Sequence, residues 1–208
     1  GDSAAEADER FAGESFLVRD RAVNAFALPG GYVGVHLGLI AVTATRDELA
    51  SVLAHELSHV TQRHIARSIA NSQRQSMIGL AAMILGALAA TRANGQAASA
   101  LIVGGQAAAM QGQLNFSRDM EREADRVGHA VLTGAGYSAA GMASMFEKLE
   151  HAYRLNDSHA FPYLRSHPLT TERIGEVRSR LAGVAAAGAA AAPSLEHVLV
   201  QARVRVAM

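Results

Sequence analysis

Residues 53–64 read LAHELSHVTQRH, and within them His55-Glu56-Leu57-Ser58-His59 has the form H-E-x-x-H. Leu49, Val52, Leu53, Leu57 and Val60 recur around it at helical spacing. Thr45 stands where a helix cap belongs, and Glu48 three residues later completes a capping box. A long helix starting near Thr45 is therefore expected, with no proline to interrupt it before residue 71. On a helix, residues four apart share a face, so His55 and His59 can hold one cation together. Glu56 is turned by about 100° from His55 and can instead reach a water on that cation. Nine histidines in 208 residues make about 0.02 chance matches to this pattern, so coincidence is a poor explanation.

A catalytic zinc needs a third protein ligand and an open position. His64 is close in sequence, but a metzincin pattern would put glycine at 62 and histidine at 65, where this chain has Gln62 and Ile65. His64 is five residues past His59, off the ligand face, and reads as a surface histidine. Glu121 is the better candidate. Glu121 and Asp125 are four apart in SRDMEREADRVG (117–128), so two carboxylates share a helical face. Like charges at that spacing cost a helix roughly 0.2–0.5 kcal/mol, which a cation facing the stripe would relieve. The competing reading is a solvated face with Arg118, Arg122 and Arg126 among the acids. Gly128 lies on the same face and would let this helix approach the histidine helix closely.

Composition narrows the classes. The chain has 19 basic and 19 acidic residues, net charge +0, and half its residues are apolar. That excludes a disordered chain and offers no basic face for nucleic acid. No cysteine is present, so disulfides and thiolate metal sites are excluded. The longest apolar run, Met77–Ala90, has 14 residues, short of the ~20 that span a bilayer.

Around the motif, residues 1–14 read as a ragged helix. Strands are expected at 15–20, 23–29 and from Tyr32 to Val35, with a Pro29-Gly30-Gly31 turn, as a small antiparallel meander. Residues 77–110 are two apolar arms around the bend TRANGQ, either a buried helical hairpin or a mobile, membrane-touching arm. Helices are expected over 117–134, about 138–154 and after Pro168. Residues 182–194 read as an Ala-rich linker. LEHVLVQARVRVA at the end suits either a helix or a strand.

Together these pieces resemble the membrane-linked gluzincin peptidases, the family that includes the CAAX prenyl protease, the HtpX heat-shock protease and BepA-type periplasmic proteases. The resemblance runs over most of residues 20–181. It rests on Asn24-Ala25-Phe26-Ala27 with Pro29-Gly30-Gly31, on LAHELSH, on SRDMEREADRVG and on SHPLTTERI (166–174). The wording of the last two is nearest to BepA-type enzymes. The resemblance implies an α+β, mainly helical, zincin-like metallopeptidase core over 1–181, with its small antiparallel sheet before the H-E-x-x-H helix. It implies one zinc ion on His55, His59 and Glu121, Glu56 as general base, and Asp125 orienting a ligand histidine from behind. His167 is implied to act near the metal, either as a fourth ligand that holds the enzyme off or as a stabiliser of the oxyanion. Arg173 anchors that segment or contacts the site. Residues 195–208 are expected to begin a C-terminal helical repeat domain, cut short here. The prenyl protease and heat-shock branches carry transmembrane helices, and no stretch of this sequence reads as long enough for one.

The expected function is a zinc-dependent endopeptidase acting on unfolded or misassembled polypeptides in the bacterial envelope, periplasmic or peripherally bound to a membrane through 77–110. The substrate would extend along an exposed edge strand such as 31–36. The rival reading is a zinc-stabilised chaperone or binding module, which has no need of Glu56 beside the metal.

Overall fold

The computed structural model describes residues 13–92, 95–155, 160–183 and 193–208. Residues 1–12 of the expected N-terminal helix over 1–14 and most of the Ala-rich linker lie outside the described residues, and Glu14 belongs to a strand rather than a helix. Among the described residues, three strands, β1 (Glu14–Val18), β2 (Ala25–Leu28) and β3 (Tyr32–His36), precede eight helices. These are α1 (Leu37–Val42), α2 (Arg46–Thr61), α3 (His64–Arg92), α4 (Gly95–Gly134), α5 (Ala139–Arg154), α6 (Tyr163–Ser166), α7 (Thr171–Gly183) and α8 (Leu195–Ala207). The α+β, mainly helical class holds. The chain divides into two units, residues 1–62 with 122–208, and residues 63–121.

The sheet differs from a meander. Its order is β1-β3-β2, with β3 antiparallel to β2 but parallel to β1. The β2–β3 hairpin turns on Gly30 and Gly31, whose φ angles of +92° and +89° suit glycine and few other residues. Between β1 and β3 the chain must first make that hairpin, so β1 reaches β3 from the opposite side and in the same direction. The consequence is functional: β3, the strand expected to receive a substrate, is central and paired on both edges.

Thr45 caps α2, its side chain accepting from the Glu48 backbone N–H at 3.2 Å. The Glu48 carboxylate reaches back to the Ala44 N–H rather than that of Thr45, at 2.5 Å. The same carboxylate, buried, accepts from Ser144 and Lys148 of α5 at 2.5 Å each. The cap thereby fixes the start of α2 against a second helix. Gly141 of α5 lies so close to α2 that a Cβ there would meet the Asp47 carbonyl carbon at 2.4 Å. The apolar core fills the space between α2, α5, α1 and the inner face of the sheet, with Val33, Val35, Leu39, Val52, Met145 and Leu149 buried.

The helix carrying H-E-x-x-H is shorter than expected. It stops at Thr61, and Arg63 takes φ +54° before α3 begins at His64. A non-glycine residue in the left-handed region breaks the helix without glycine or proline, which is why the sequence shows no stop. The two apolar arms belong to α3 and α4, and α4 is a single 40-residue helix that also contains the expected helix 117–134. Within the second unit, α3 and α4 form an antiparallel hairpin. Asn71 donates to Gln113 at 2.8 Å, and Gly105 and Gly86 lie against Ala82 and Ile102. The hairpin is not buried: Met77, Ile84, Leu85, Leu88, Val103 and Met110 are all exposed. In addition, α3 is long and apolar enough over His64–Thr91 to cross a membrane. The 14-residue run understated it, because α3 continues past the run at both ends with Arg67 and Arg74 as the charged Lys, Arg, Asp or Glu residues over His64–Thr91.

The final segment is a helix, and it caps another. His197 and Gln201 of α8 hydrogen-bond the Thr43 carbonyl, the former at 2.9 Å, and Gln201 also reaches the Ile40 carbonyl at 3.1 Å. These are orphan acceptors at the C-terminal end of α1.

Candidate metal centre

His55 and His59 lie one turn apart on α2, both buried. Their Nε2 atoms are 3.0 Å apart. From α4, Asp125 Oδ1 sits 3.0 Å from His55 Nδ1. If that contact is the usual Nδ1–H donated to a carboxylate, the His55 Nε2 lone pair faces His59. From the turn after α6, His167 brings Nδ1 to 3.4 Å from His55 Nε2 and Nε2 to 3.4 Å from Glu56 Oε1. Among the described residues, His55, His59, Glu121 and His167 each offer one ligand atom, all within 4.8 Å of one another and all buried. The boundary between the two units falls at Glu121, within the unbroken helix α4.

Four buried donors converging in this way make a poor apolar core. Lone pairs at 3.0–3.4 Å repel unless a proton or a cation lies between them, and buried polar groups need a partner. Three imidazoles and a carboxylate, with no thiol, suit a borderline divalent metal in a compact geometry. The residues present therefore fit a metal ion.

The surroundings hold these donors in place. Gly128 of α4 lies against α2, where a Cβ would sit 3.2 Å from the Ala54 carbonyl oxygen and from His55 Cα. That absence of a side chain lets Asp125 reach His55. Arg173 of α7 grips Asp125 with two hydrogen bonds, Nε to Oδ2 at 2.7 Å and Nη2 to Oδ1 at 2.8 Å. Its Nη1 donates to the Pro168 carbonyl at 2.8 Å, next to His167. Burial opposes charge on Asp125, but the Arg173 and His55 hydrogen bonds outweigh it and hold the carboxyl below the usual range. Arg173 thus does both things the sequence left open: it anchors the His-Pro segment and it touches the site's supporting carboxylate.

Tyr163 is a residue that sequence reading passed over. Its ring stacks on His167, centroids 4.5 Å apart at 28°, and stands edge-on to His55 at 6.4 Å. The Tyr163 N–H donates to the Val23 carbonyl at 3.3 Å, and His167 N–H donates to the Tyr163 carbonyl at 2.9 Å. A tyrosine four residues before His167 was the available signal, and it opens the short helix α6 whose C-terminal cap is His167. His64, by contrast, was misjudged as a surface residue: it is 2 % exposed. Because α2 ends before it, projection along one continuous helix does not locate its ring. It is not a member of the four-donor group.

The sequence of residues 2–181 matches the family model described as Peptidase family M48. The chain is 40% identical over 165 residues to the beta-barrel assembly-enhancing protease of Yersinia pestis and 38% identical to that of Escherichia coli K12, in each case over 79% of this chain and 34% of the relative. It is 32% identical over 168 residues to the mitochondrial metalloendopeptidase OMA1 of Schizosaccharomyces pombe, over 81% of this chain and 46% of that protein. The chain spans about a third of the length of its bacterial relatives and just under half that of the mitochondrial one. With a family model covering most of the chain, and with the H-E-x-x-H helix, Glu121 and His167 converging on one point, the chain belongs to peptidase family M48.

Proposed function

We propose that this chain is the catalytic part of a zinc-dependent endopeptidase that cleaves unfolded or misassembled polypeptides in the bacterial envelope. The observation that carries the reading is the buried convergence of His55, His59, Glu121 and His167, with the Glu56 carboxylate beside it. His55, His59 and Glu121 would hold the zinc, and His167 would be a fourth ligand in the resting state. When bound, zinc supplies a water of lowered pKa and polarises a peptide carbonyl. Glu56, one position along α2 from His55, takes the proton from the attacking water and passes it to the leaving amine. Asp125 keeps His55 in the tautomer whose Nε2 can ligate, and Arg173 keeps Asp125 ionised and aimed. The relatives' names, beta-barrel assembly-enhancing protease and metalloendopeptidase, support the substrate class and the envelope setting.

An extended substrate would add to β2 rather than β3. β2 is an outer strand and packs beside α2. Main-chain hydrogen bonds along such an edge tolerate many sequences, which suits unfolded clients. The approach near Val23 is taken by Ala160 and Tyr163, which bond its N–H and carbonyl, so the available edge lies toward Ala27 and Leu28.

The rival, a zinc-stabilised chaperone, lacks a use for Glu56. The test is Glu56→Gln with an unfolded, dye-quenched protein as substrate. The variant keeps its metal and its melting temperature, and cleavage falls by at least about 100-fold. Cleavage at the wild-type rate in the metal-loaded variant refutes the mechanism, and a metal-loaded wild type that binds the substrate without cutting it favours the chaperone.

A further inference from the structure

We propose that Tyr163 is a positioning residue whose ring holds the His167 imidazole in the plane that faces the metal ligands. The inference deepens the proteolytic reading and rests on one part of it, that His167 ligates the bound ion at rest. The backbone frames His167 on both sides. Pro162 caps α6 with φ −57°, and the Tyr163 carbonyl accepts from the His167 N–H at 2.9 Å. Pro168 follows and keeps His167 out of the helical region, at φ −121° and ψ 77°. Arg173 holds the Pro168 carbonyl. What the backbone leaves open is rotation of the imidazole about its own side-chain bonds.

The imidazole presents two nitrogens at once. Nδ1 lies 3.4 Å from His55 Nε2, and Nε2 lies 3.4 Å from Glu56 Oε1. A tilt of the ring out of this plane moves both nitrogens off their targets. The rings of His55 and His59 meet His167 at 81° and 56°, whereas Tyr163 lies against its face, at 28° with centroids 4.5 Å apart. The same tyrosine ring stands edge-on to His55, so one side chain touches histidines from two different elements. Tyr163 is itself fixed: it is 4% exposed, and its N–H donates to the Val23 carbonyl ahead of β2. A cavity of about 10 Å³, room for one water, has Tyr163, His167, Val52 and Leu149 in its lining. Removing the tyrosine ring enlarges that cavity beside His167 and gives the imidazole somewhere to turn. A stacked aromatic pair favours its geometry by a factor of about two to twelve, enough to set how much of the time His167 faces the ion.

The test is a double-mutant cycle on Tyr163 and His167, read as zinc release to a chromogenic chelator. Tyr163→Phe keeps the ring and releases zinc at the wild-type rate. Tyr163→Leu keeps an apolar side chain without an aromatic face and releases zinc about two- to twelvefold faster. In the His167→Ala background Tyr163→Leu adds nothing, because no imidazole is left to orient. A second readout needs no metal. In the metal-free protein the His167 ring protons resonate upfield under the Tyr163 ring current, and Tyr163→Leu, but not Tyr163→Phe, removes that shift. Equal acceleration by Tyr163→Leu with and without His167 overturns the proposal, since the tyrosine would then only support the fold. Unchanged release in Tyr163→Leu overturns it too. If His167→Ala also leaves release unchanged, the fourth-ligand reading of His167 falls with it. If His167→Ala speeds release, that reading stands and only the role of Tyr163 is lost.

Discussion

The Arg173 guanidinium lies against the Asp125 carboxylate in a two-point contact, 2.7 and 2.8 Å, with both side chains buried. Asp125 in turn touches His55, and Arg173 also holds the carbonyl of Pro168. One arginine therefore links the helix of H-E-x-x-H to the turn that carries His167. Arg173→Ala leaves Asp125 buried without its cation and is expected to lower stability by about 3–5 kcal/mol, read as a lower urea midpoint. Arg173→Lys keeps the charge but loses the planar fork, so it should recover only part of that loss. Full recovery by lysine would show that charge alone matters.

Gly128 governs how near α4 comes to α2. A methyl at Gly128 would sit 3.2 Å from three backbone atoms of Ala54 and His55, and backbone yields less readily than a side chain. Gly128→Ala should cost about 1–3 kcal/mol and weaken metal binding, because Asp125 and Glu121 move with α4. Gly128→Val should do more of both. Competition with a chromogenic chelator measures the affinity, and an unchanged value in both variants would separate helix spacing from the site.

Elemental analysis of purified protein tests the ligand set. The wild type should carry about one zinc per chain, and Glu121→Ala should lose most of it. His64→Ala should keep the metal while losing stability, about 1–3 kcal/mol for a buried polar side chain and its partners. Metal loss in His64→Ala with retention in Glu121→Ala would overturn the assignment.

His167 lies 3.4 Å from both His55 and Glu56, and as a fourth ligand it would occupy the position a water needs. His167→Ala is expected to raise cleavage of an unfolded substrate severalfold while zinc remains bound. A fall of about 100-fold or more would instead make His167 a stabiliser of the transition state.

Glu48 ties stability to acid. Burial raises its pKa, but the hydrogen bonds from Lys148, Ser144 and Ala44 outweigh burial and set it below 4.5. A carboxylate depressed in the folded state contributes stability that is complete above its unfolded pKa and disappears as pH falls through the folded one. The wild type should therefore lose stability below about pH 4.5, and Glu48→Gln should flatten that slope while lowering stability at pH 7. Urea titrations of both proteins from pH 3 to 7 read the difference.

Helical spacing made the metal helix readable. Thr45 and Glu48 marked its start, and His55 and His59 were placed on one face by a four-residue repeat. The paired acids at 121 and 125 stood out because local helix energetics do not explain them. The errors have physical causes too. Strand pairing depends on where the chain returns after a hairpin, so β1 joined β3 in parallel although each strand was recognised. The end of α2 rests on a positive φ at Arg63, a conformation few non-glycine residues announce. Tyr163 and Lys148 act through neighbours distant in sequence, which no periodicity can show.

By itself, the sequence determined what depends on local spacing: the helix of H-E-x-x-H, the capping residues, the absence of thiol ligands and the stretch from 75 to 117 whose one charged residue is Arg92. Only the tertiary structure decided which donors meet, that Arg173 bridges Asp125 to the His-Pro turn, that β2 rather than β3 is an outer strand, and that His64 is buried. The division follows from range. Local patterns are set by a helix's own geometry, whereas the meeting of His167 with His55, 112 positions apart, depends on the packing of every element between them.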